Sequence, residues 1–195
     1  MLMTITGKLG SGKSTVCDII QAKYGFDKFS TGLVQRKYAE NHGLSTLDLN
    51  KNMDEAAPTL DNDIDSRVAR MSRERKGDKL IFDSRMAWHF AEDTFKIFLT
   101  VDPQEAGRRV FYNRVSNVEC YTDEVDACEK LLERSEVERQ RFIKIYGVDY
   151  FDYNNYNVVV DTTSRAPEEV VAIIMENYEL YKADPDGYGS VRIFA

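Results

Sequence analysis

Leu2-Met3-Thr4-Ile5-Thr6-Gly7-Lys8-Leu9-Gly10-Ser11-Gly12-Lys13-Ser14-Thr15 decides the architecture of this chain. Five residues with strand character run into G-x-x-x-x-G-K-[ST], and the residues that follow have helical character; a phosphate-binding loop needs that context. Gly7, Gly10 and Gly12 permit backbone torsions and close approaches that a Cβ would block, so amide N–H groups can converge on phosphate oxygens. Lys13 is placed to reach the β- and γ-phosphates, and the Ser14 hydroxyl to ligate Mg²⁺ at the start of the helix. Lys8, Leu9, Ser11 and Thr15 complete the candidate nucleotide site. The motif predicts nucleotide binding and leaves the fate of the phosphate open.

Outward from this loop, strand-like runs recur at 2–6, 26–30, 79–82, 95–101 and 157–160. Helices are signalled after Lys13 and over 33–41, 46–55, 58–75, 103–114, 122–146 and 167–181. Pro58, Pro103 and Pro167 stand where helices start, the position that tolerates a missing N–H. Thr122 reads as an N-cap with acidic residues behind it, and Gly147 as a stop. Alternating strands and helices predict an α/β fold, a five-stranded parallel sheet with helices on both faces and ligands beyond the carboxyl ends of the strands. One domain over 1–195 is expected, with its core about 1–30, 79–110 and 156–182. A helical insertion of about 31–76 and a lid region of about 111–150 interrupt it, and such insertions carry substrate sites or move as lids. The turn-rich tail 183–195 suggests no role.

The charge balance narrows the partners. A net charge of -7 argues against a general nucleic-acid or anionic-membrane binder. Cys17, Cys120 and Cys128 are odd in number and lack C-x-x-C spacing, so structural zinc and a disulfide framework are not expected and a reducing compartment fits. No apolar run approaches about 18 residues. The expectation is a cytoplasmic, soluble protein, and nothing points to a protein partner.

Beyond the loop, residues 79–83 form an apolar strand ending in Asp83, a carboxylate placed to hold Mg²⁺ through water. Arg85 follows into the same crevice, and Arg36 follows Ser30-Thr31-Gly32 at the mouth of the short second strand. A guanidinium offers a phosphate a bidentate fork, so the two arginines predict a second substrate's phosphate at that edge. Arg134, Glu138 and Arg141 lie at i, i+4 and i+7 on one helical face; the plain alternative there is a solvated face with intrahelical ion pairs, the reading given to Arg139, Glu136, Glu129 and Lys130. Arg108, Arg109 and Arg114 follow the fourth strand within reach of a transferring phosphate. Trp88, Tyr112, Tyr146, Tyr150, Phe151, Tyr153 and Tyr156 read as core or helix-packing residues rather than a base-stacking platform. Cys17 reads as a small buried residue.

Taken in order, these pieces resemble the cytidylate kinases, most closely the shorter type common in archaea and some bacteria. The matching pieces are the phosphate loop, Ser30-Thr31-Gly32 with Arg36, Asp83-Ser84-Arg85, the Arg134 to Arg141 segment with Ile145-Tyr146-Gly147, and Val158 to Ser164 with Glu168-Glu169-Val170 opening a helix, which resembles the family's adenine-proximal loop. The resemblance implies a three-layer P-loop kinase fold with a nucleotide-binding insertion and a lid, ATP and Mg²⁺ as cofactors, and CMP or dCMP as acceptor. In its terms Lys13, Arg134 and Asp83 are catalytic, with Ser14 and Asp83 at the metal. Arg36, Arg85 and Arg141 grip the acceptor's monophosphate beside Ser30 and Thr31, and Glu138 sits near its sugar. Ser84 stands where the family commonly has Gly, and Met86 where longer bacterial enzymes use an Asp to read cytosine. Candidate readers are therefore Asp61, Asn62, Asp65 and Arg67, residues that equally suit a solvated helix face. The competing readings are a GTP switch, against which Asn50-Lys51-Asn52-Met53 lacks the Asp of N-K-x-D, a kinase of the same fold with another small acceptor, and a diverged non-catalytic nucleotide binder.

Overall fold

A computed structural model of the chain describes residues 1–51, 59–113 and 120–195. The elements run β1 (Leu2–Gly7), α1 (Lys13–Tyr24), β2 (Asp27–Ser30), α2 (Thr31–Asn41), α3 (Thr46–Lys51), α4 (Leu60–Glu74), β3 (Leu80–Asp83) and α5 (Ala87–Phe90). They continue as β4 (Thr94–Thr100), α6 (Pro103–Asn113), α7 (Glu124–Tyr146), a 3₁₀ turn (Tyr153–Asn155), β5 (Val158–Asp161), α8 (Pro167–Ala183) and β6 (Arg192–Phe194).

The strands form one sheet in the order β2-β3-β1-β4-β5-β6, with every pairing parallel. β1 is central and buried along its whole length, Thr4 and Thr6 included. Side chains nevertheless alternate between two cores, because successive strand residues point to opposite faces. Met3, Ile5, Ile97, Leu99, Val158 and Val160 meet Val16, Cys17 and Ile20 of α1 and Val170, Val171 and Ile174 of α8. On the opposite face Phe98 and Val159 pack with Trp88, Phe142, Tyr150 and Tyr156, while Leu2 and Phe82 pack with Val68 of α4. Trp88, Tyr150 and Tyr156 are thus core residues; Tyr112 is not, lying 63% exposed on α6.

The register sets the functional edge. Ile5 pairs with Asp83, Ser30 with Asp83, Gly7 with Leu99 and Thr100 with Asp161, so the carboxyl ends of five strands lie side by side. Gly7 is there of necessity: at φ +153° a Cβ would stand 2.2 Å from the Leu99 carbonyl oxygen.

Several expectations are corrected. The sheet has six strands rather than five, because Arg192–Phe194 of the tail pairs with Val158–Val160. A three-residue strand behind a turn-rich segment has too little pattern to be read. The cap of α7 is Asp123, whose side chain accepts from the Asp126 amide, rather than Thr122. The single-turn α5 was not expected, and its closeness to β3 hides it. Arg139 pairs chiefly with Asp149, from beyond the helix end, at 2.5 Å, with Glu136 more distant at 3.7 Å. Pro58, Arg114, residues 52–55 and the last two residues of Asn50-Lys51-Asn52-Met53 lie outside the described residues. Among the described residues no helix is long and apolar enough to cross a membrane.

Candidate active site

A cavity of about 690 Å³ opens over the carboxyl ends of the strands and is lined by residues 9–16 together with Ser30, Arg36, Asp83, Arg85, Arg109 and Thr162. Its floor is the loop between β1 and α1, closed by Lys8 N–H to Leu99 O at 2.9 Å and Ser11 N–H to Lys8 O at 3.2 Å. α1 starts at Lys13 behind Gly12 (φ 81°) with no side-chain cap and no acidic residue in its first turn. Its first N–H groups are therefore left for an external anion, which the helix dipole also favours. Ser11 adds a buried hydroxyl without a hydrogen-bond partner among the described residues. These features fit a polyphosphate.

Lys13 curls back so that its ammonium donates to Gly7 O at 3.0 Å and Lys8 O at 3.2 Å. Burial of that ammonium, together with the nearby Arg85 charge, pushes its pKa down to about 7 against the pull of Asp83 and Glu138. The loop is short of negative charge, the condition a bound polyanion relieves.

Asp83, buried at the end of β3, accepts from Ser14 Oγ at 3.2 Å and from Ser30 Oγ at 3.0 Å. A hydroxyl and a carboxylate at that separation are an oxygen pair suited to Mg²⁺. Among the described residues no group of three or more His, Cys, Asp or Glu could hold a metal, so such an ion would take the rest of its shell from phosphate and water.

Beyond Arg85, Glu138 is 1% exposed and lies between two guanidinium groups. Arg85 Nε pairs with one of its oxygens and Arg134 Nε donates to the other at 3.0 Å. Burial pushes the Glu138 carboxyl up, and Arg85 and Arg134 together outweigh it and hold it below the usual carboxylate range. The spacing on α7 therefore marks a buried charge cluster rather than a solvated face. Arg141 is ion-paired with Asp61 of α4, and Tyr146 donates to Asp65 one turn further along that helix. Lys51 of α3 reaches Glu133 of α7 at 2.6 Å. Three polar links thus hold the helical insertion against α7. Thr31 and Gln35 of α2, with Asp61, Asp65, Met86 and Phe142, line a second, much smaller pocket that shares Arg85 with the large one. Asn62 and Arg67 are exposed, Arg67 with its guanidinium over the Phe29 ring of β2 at 4.9 Å, and neither lines the small pocket.

The arginines after β4 divide. Arg109 donates to Thr162 O at 2.7 Å, to Thr163 O at 3.1 Å and to Thr162 Oγ1 at 3.1 Å, tying α6 to the loop after β5. Arg108, more exposed, forms a two-point pair with Glu105 at 2.7 and 2.8 Å, and both line the large cavity. The hydrogen bond from Arg108, helped by Arg109, pulls the Glu105 carboxyl down to about 2 despite some desolvation. Arg165, Pro167 and Val170 finish the wall of the large cavity; sequence reasoning did not single out Arg165 and read Pro167 only as a helix start, and the position of Arg165 just past the last core strand is the signal that could have pointed to it.

The AAA domain family matches residues 3–131 of the chain. An S-adenosylmethionine-dependent nucleotide dehydratase of Lacinutrix mariniflava is 35% identical over 178 residues, 91% of this chain and 36% of that protein. The chain therefore spans only about a third of that relative. A cytidylate kinase of Pyrococcus abyssi is 31% identical over 175 residues, 89% of this chain and 91% of that protein. The fold is shared with a shikimate kinase from Bacteroides thetaiotaomicron, with TM-score 0.58 at 12% identity over 92% of this chain and 98% of that one. With a phosphate loop on β1, the carboxylate and arginines on neighbouring strand ends, and near full-length similarity to a cytidylate kinase, the chain belongs to the P-loop nucleoside-monophosphate kinase superfamily as a relative of the cytidylate kinases.

Proposed function

We propose that the protein transfers the γ-phosphoryl group of ATP to the phosphate of CMP or dCMP. The observation that carries this is the convergence of Lys13, Ser14, Asp83, Arg36 and Arg85 on one cavity, with Arg85 also lining the smaller pocket beyond it. Two polyanions can be held there in line, one on the loop and one at the arginines. The relatives named above, a cytidylate kinase and a nucleotide dehydratase, favour a nucleotide acceptor.

In this reading the loop amides of residues 7–15 and Lys13 hold the ATP phosphates, and an acceptor phosphate oxygen attacks the γ-phosphorus. A new P–O bond forms as the bond to the β,γ-bridging oxygen breaks, and ADP leaves with that electron pair. The acceptor phosphate is already an anion, so no general base is required; positioning and charge neutralisation carry the catalysis. Mg²⁺ held by Ser14 and Asp83 would neutralise phosphate charge during transfer. Arg36, Arg85 and Arg141, beside Ser30 and Thr31, grip the acceptor's phosphate. Arg134 stands ready for the group in transfer. Glu138 fixes the directions of Arg85 and Arg134 at the acceptor end, next to where the sugar would pass. Closure of the insertion on α7 excludes water that would otherwise hydrolyse ATP.

ADP release from purified protein, with ATP and a panel of CMP, dCMP, UMP, AMP and GMP, tests the assignment. The highest kcat/KM is expected with CMP or dCMP. A value for AMP or GMP equal to or above CMP overturns the cytidylate reading, and inactivity across the panel points to another acceptor or to a binding protein.

A further inference from the structure

We propose that Asp65, held by Tyr146 in the small pocket beyond Arg85, selects the acceptor's base by accepting a hydrogen bond from the exocyclic amine of an aminopyrimidine. The inference rests on the reading of the chain as a nucleoside-monophosphate kinase and assigns its base selectivity to a residue.

Arg85 lines both cavities. A monophosphate gripped there has its sugar and base directed away from the phosphate loop, toward the space between α2, α4 and α7. That space has apolar walls, Ile64, Met86 and Phe142, suited to the faces of a flat ring, and polar groups in Gln35, Asp61 and Asp65. Asp61 and Asp65 are one helical turn apart, which brings both to the pocket side of α4. Their partners differ in kind. Asp61 faces a cation, Arg141, whereas Asp65 faces the neutral hydroxyl of Tyr146.

The Tyr146 hydroxyl donates to Asp65 Oδ2 and fixes the direction of the carboxylate, which keeps acceptor capacity for a ligand. An ionised carboxylate only accepts. It complements the amino group of cytosine and opposes the carbonyl that uracil carries at the same ring position, where acceptor would meet acceptor. Met86 can serve neither role strongly, so the reading falls to α4 rather than to the strand end. Burial pushes the Asp65 carboxyl up to about 6, partly opposed by the Tyr146 hydrogen bond, so it is ionised at pH 8.

The pocket as it stands holds about 20 Å³, room for a single water. A base needs this pocket to widen, and the link to be broken is the Arg141–Asp61 pair, one helical turn from the Tyr146–Asp65 hydrogen bond, which holds while that end of α4 opens. A phosphate arriving at Arg141 offers it another anion in place of Asp61. Filling the phosphate subsite therefore frees the Asp61 end of α4 while Tyr146 keeps Asp65 in place.

The test is kcat/KM for CMP and for UMP at pH 8, for wild type, Asp65→Asn and Tyr146→Phe. Asp65→Asn keeps the shape and turns one acceptor into a donor. It is expected to narrow the CMP/UMP ratio at least tenfold, through a raised KM for CMP and a KM for UMP that is unchanged or lower, with KM for ATP unaffected. Equal loss on both acceptors, or an unchanged ratio, overturns the proposal, since a structural role would not discriminate the bases. Should Asp65→Asn fail to fold, Tyr146→Phe decides: a CMP/UMP ratio reduced severalfold supports the proposal and an unchanged one overturns it. Wild-type inactivity toward both pyrimidines would overturn the cytidylate assignment as well; an active CMP kinase whose Asp65 variant keeps its ratio overturns this inference alone.

Discussion

The two ends of the site, in the proposed reading a donor end and an acceptor end, are built in opposite ways. The donor end is made by consecutive residues, Gly7 to Thr15, held by main-chain bonds to β4 and opening on a cavity of about 690 Å³. The acceptor end is assembled from α2, α4, α7 and the end of β3, and its small pocket holds about 20 Å³. Its cations already have protein carboxylates as partners, Glu138 for Arg85 and Arg134, and Asp61 for Arg141. A backbone cradle needs no rearrangement to receive a phosphate, whereas paired arginines must exchange one anion for another. The contrast predicts a rigid half and a half that moves.

The largest effect is expected where that contrast is anchored. Glu138→Gln leaves two buried guanidinium groups without their shared anion, and breaking such a pair costs about 3–5 kcal/mol. Thermal unfolding should show a large fall in Tm. Glu138 has a depressed carboxyl pKa, so its contribution is present above the unfolded value of about 4.3 and is lost as pH falls through the folded one. A Tm within a degree or two of wild type would mean that the cluster does not anchor the acceptor end.

Next comes Lys13→Ala, expected to lower kcat by about 10²–10³, the scale of losing one preorganised charge stabiliser. Stability should hold or rise, because the pKa of Lys13 is depressed in the fold and its charging opposes folding below the unfolded value of about 10.4. A variant with near wild-type turnover would remove the donor assignment.

Arg36→Ala should act on the other half. Loss of a charged hydrogen bond of about 1.5–3 kcal/mol predicts a KM for the acceptor raised by roughly ten- to a hundredfold, with the ATP constant little changed. An ATP defect with normal acceptor kinetics would place Arg36 on the donor side and blur the division.

The smallest effect is a proton. With its pKa near 7 the free Lys13 amine is largely neutral at pH 8, and a bound polyphosphate raises that pKa. ATP binding at pH 8 should take up a fraction of a proton, seen by calorimetry in buffers of different ionisation enthalpy and absent in Lys13→Ala. ATP affinity should weaken as pH rises above about 7. Heats independent of buffer would show that the amine is fully charged before ATP arrives.

Legibility followed the same division. The phosphate loop, β1 and α1 could be read because each requirement is local: a glycine where φ is positive or the backbone crowds, a lysine and a hydroxyl at fixed offsets. Asp83 and Arg85 were readable from their place at a strand end. The helical face carrying Arg134, Glu138 and Arg141 could be read, but not whether it faced water or the interior. That choice depends on Arg85 and Asp61, and Asp61 is 80 residues from Arg141. β6 escaped because three residues form a strand only when a neighbouring edge offers them hydrogen bonds.

The sequence by itself determined an α/β chain with a phosphate-binding loop and a set of arginines fit for a second anion, because backbone torsion and side-chain period are properties of neighbouring residues. Only the tertiary structure decided which carboxylate holds which arginine, that Asp65 meets Tyr146 across 81 residues, and that the insertion lies closed on α7. Those outcomes depend on burial, and burial turns a charge from a solvated ornament into a group that must find a partner.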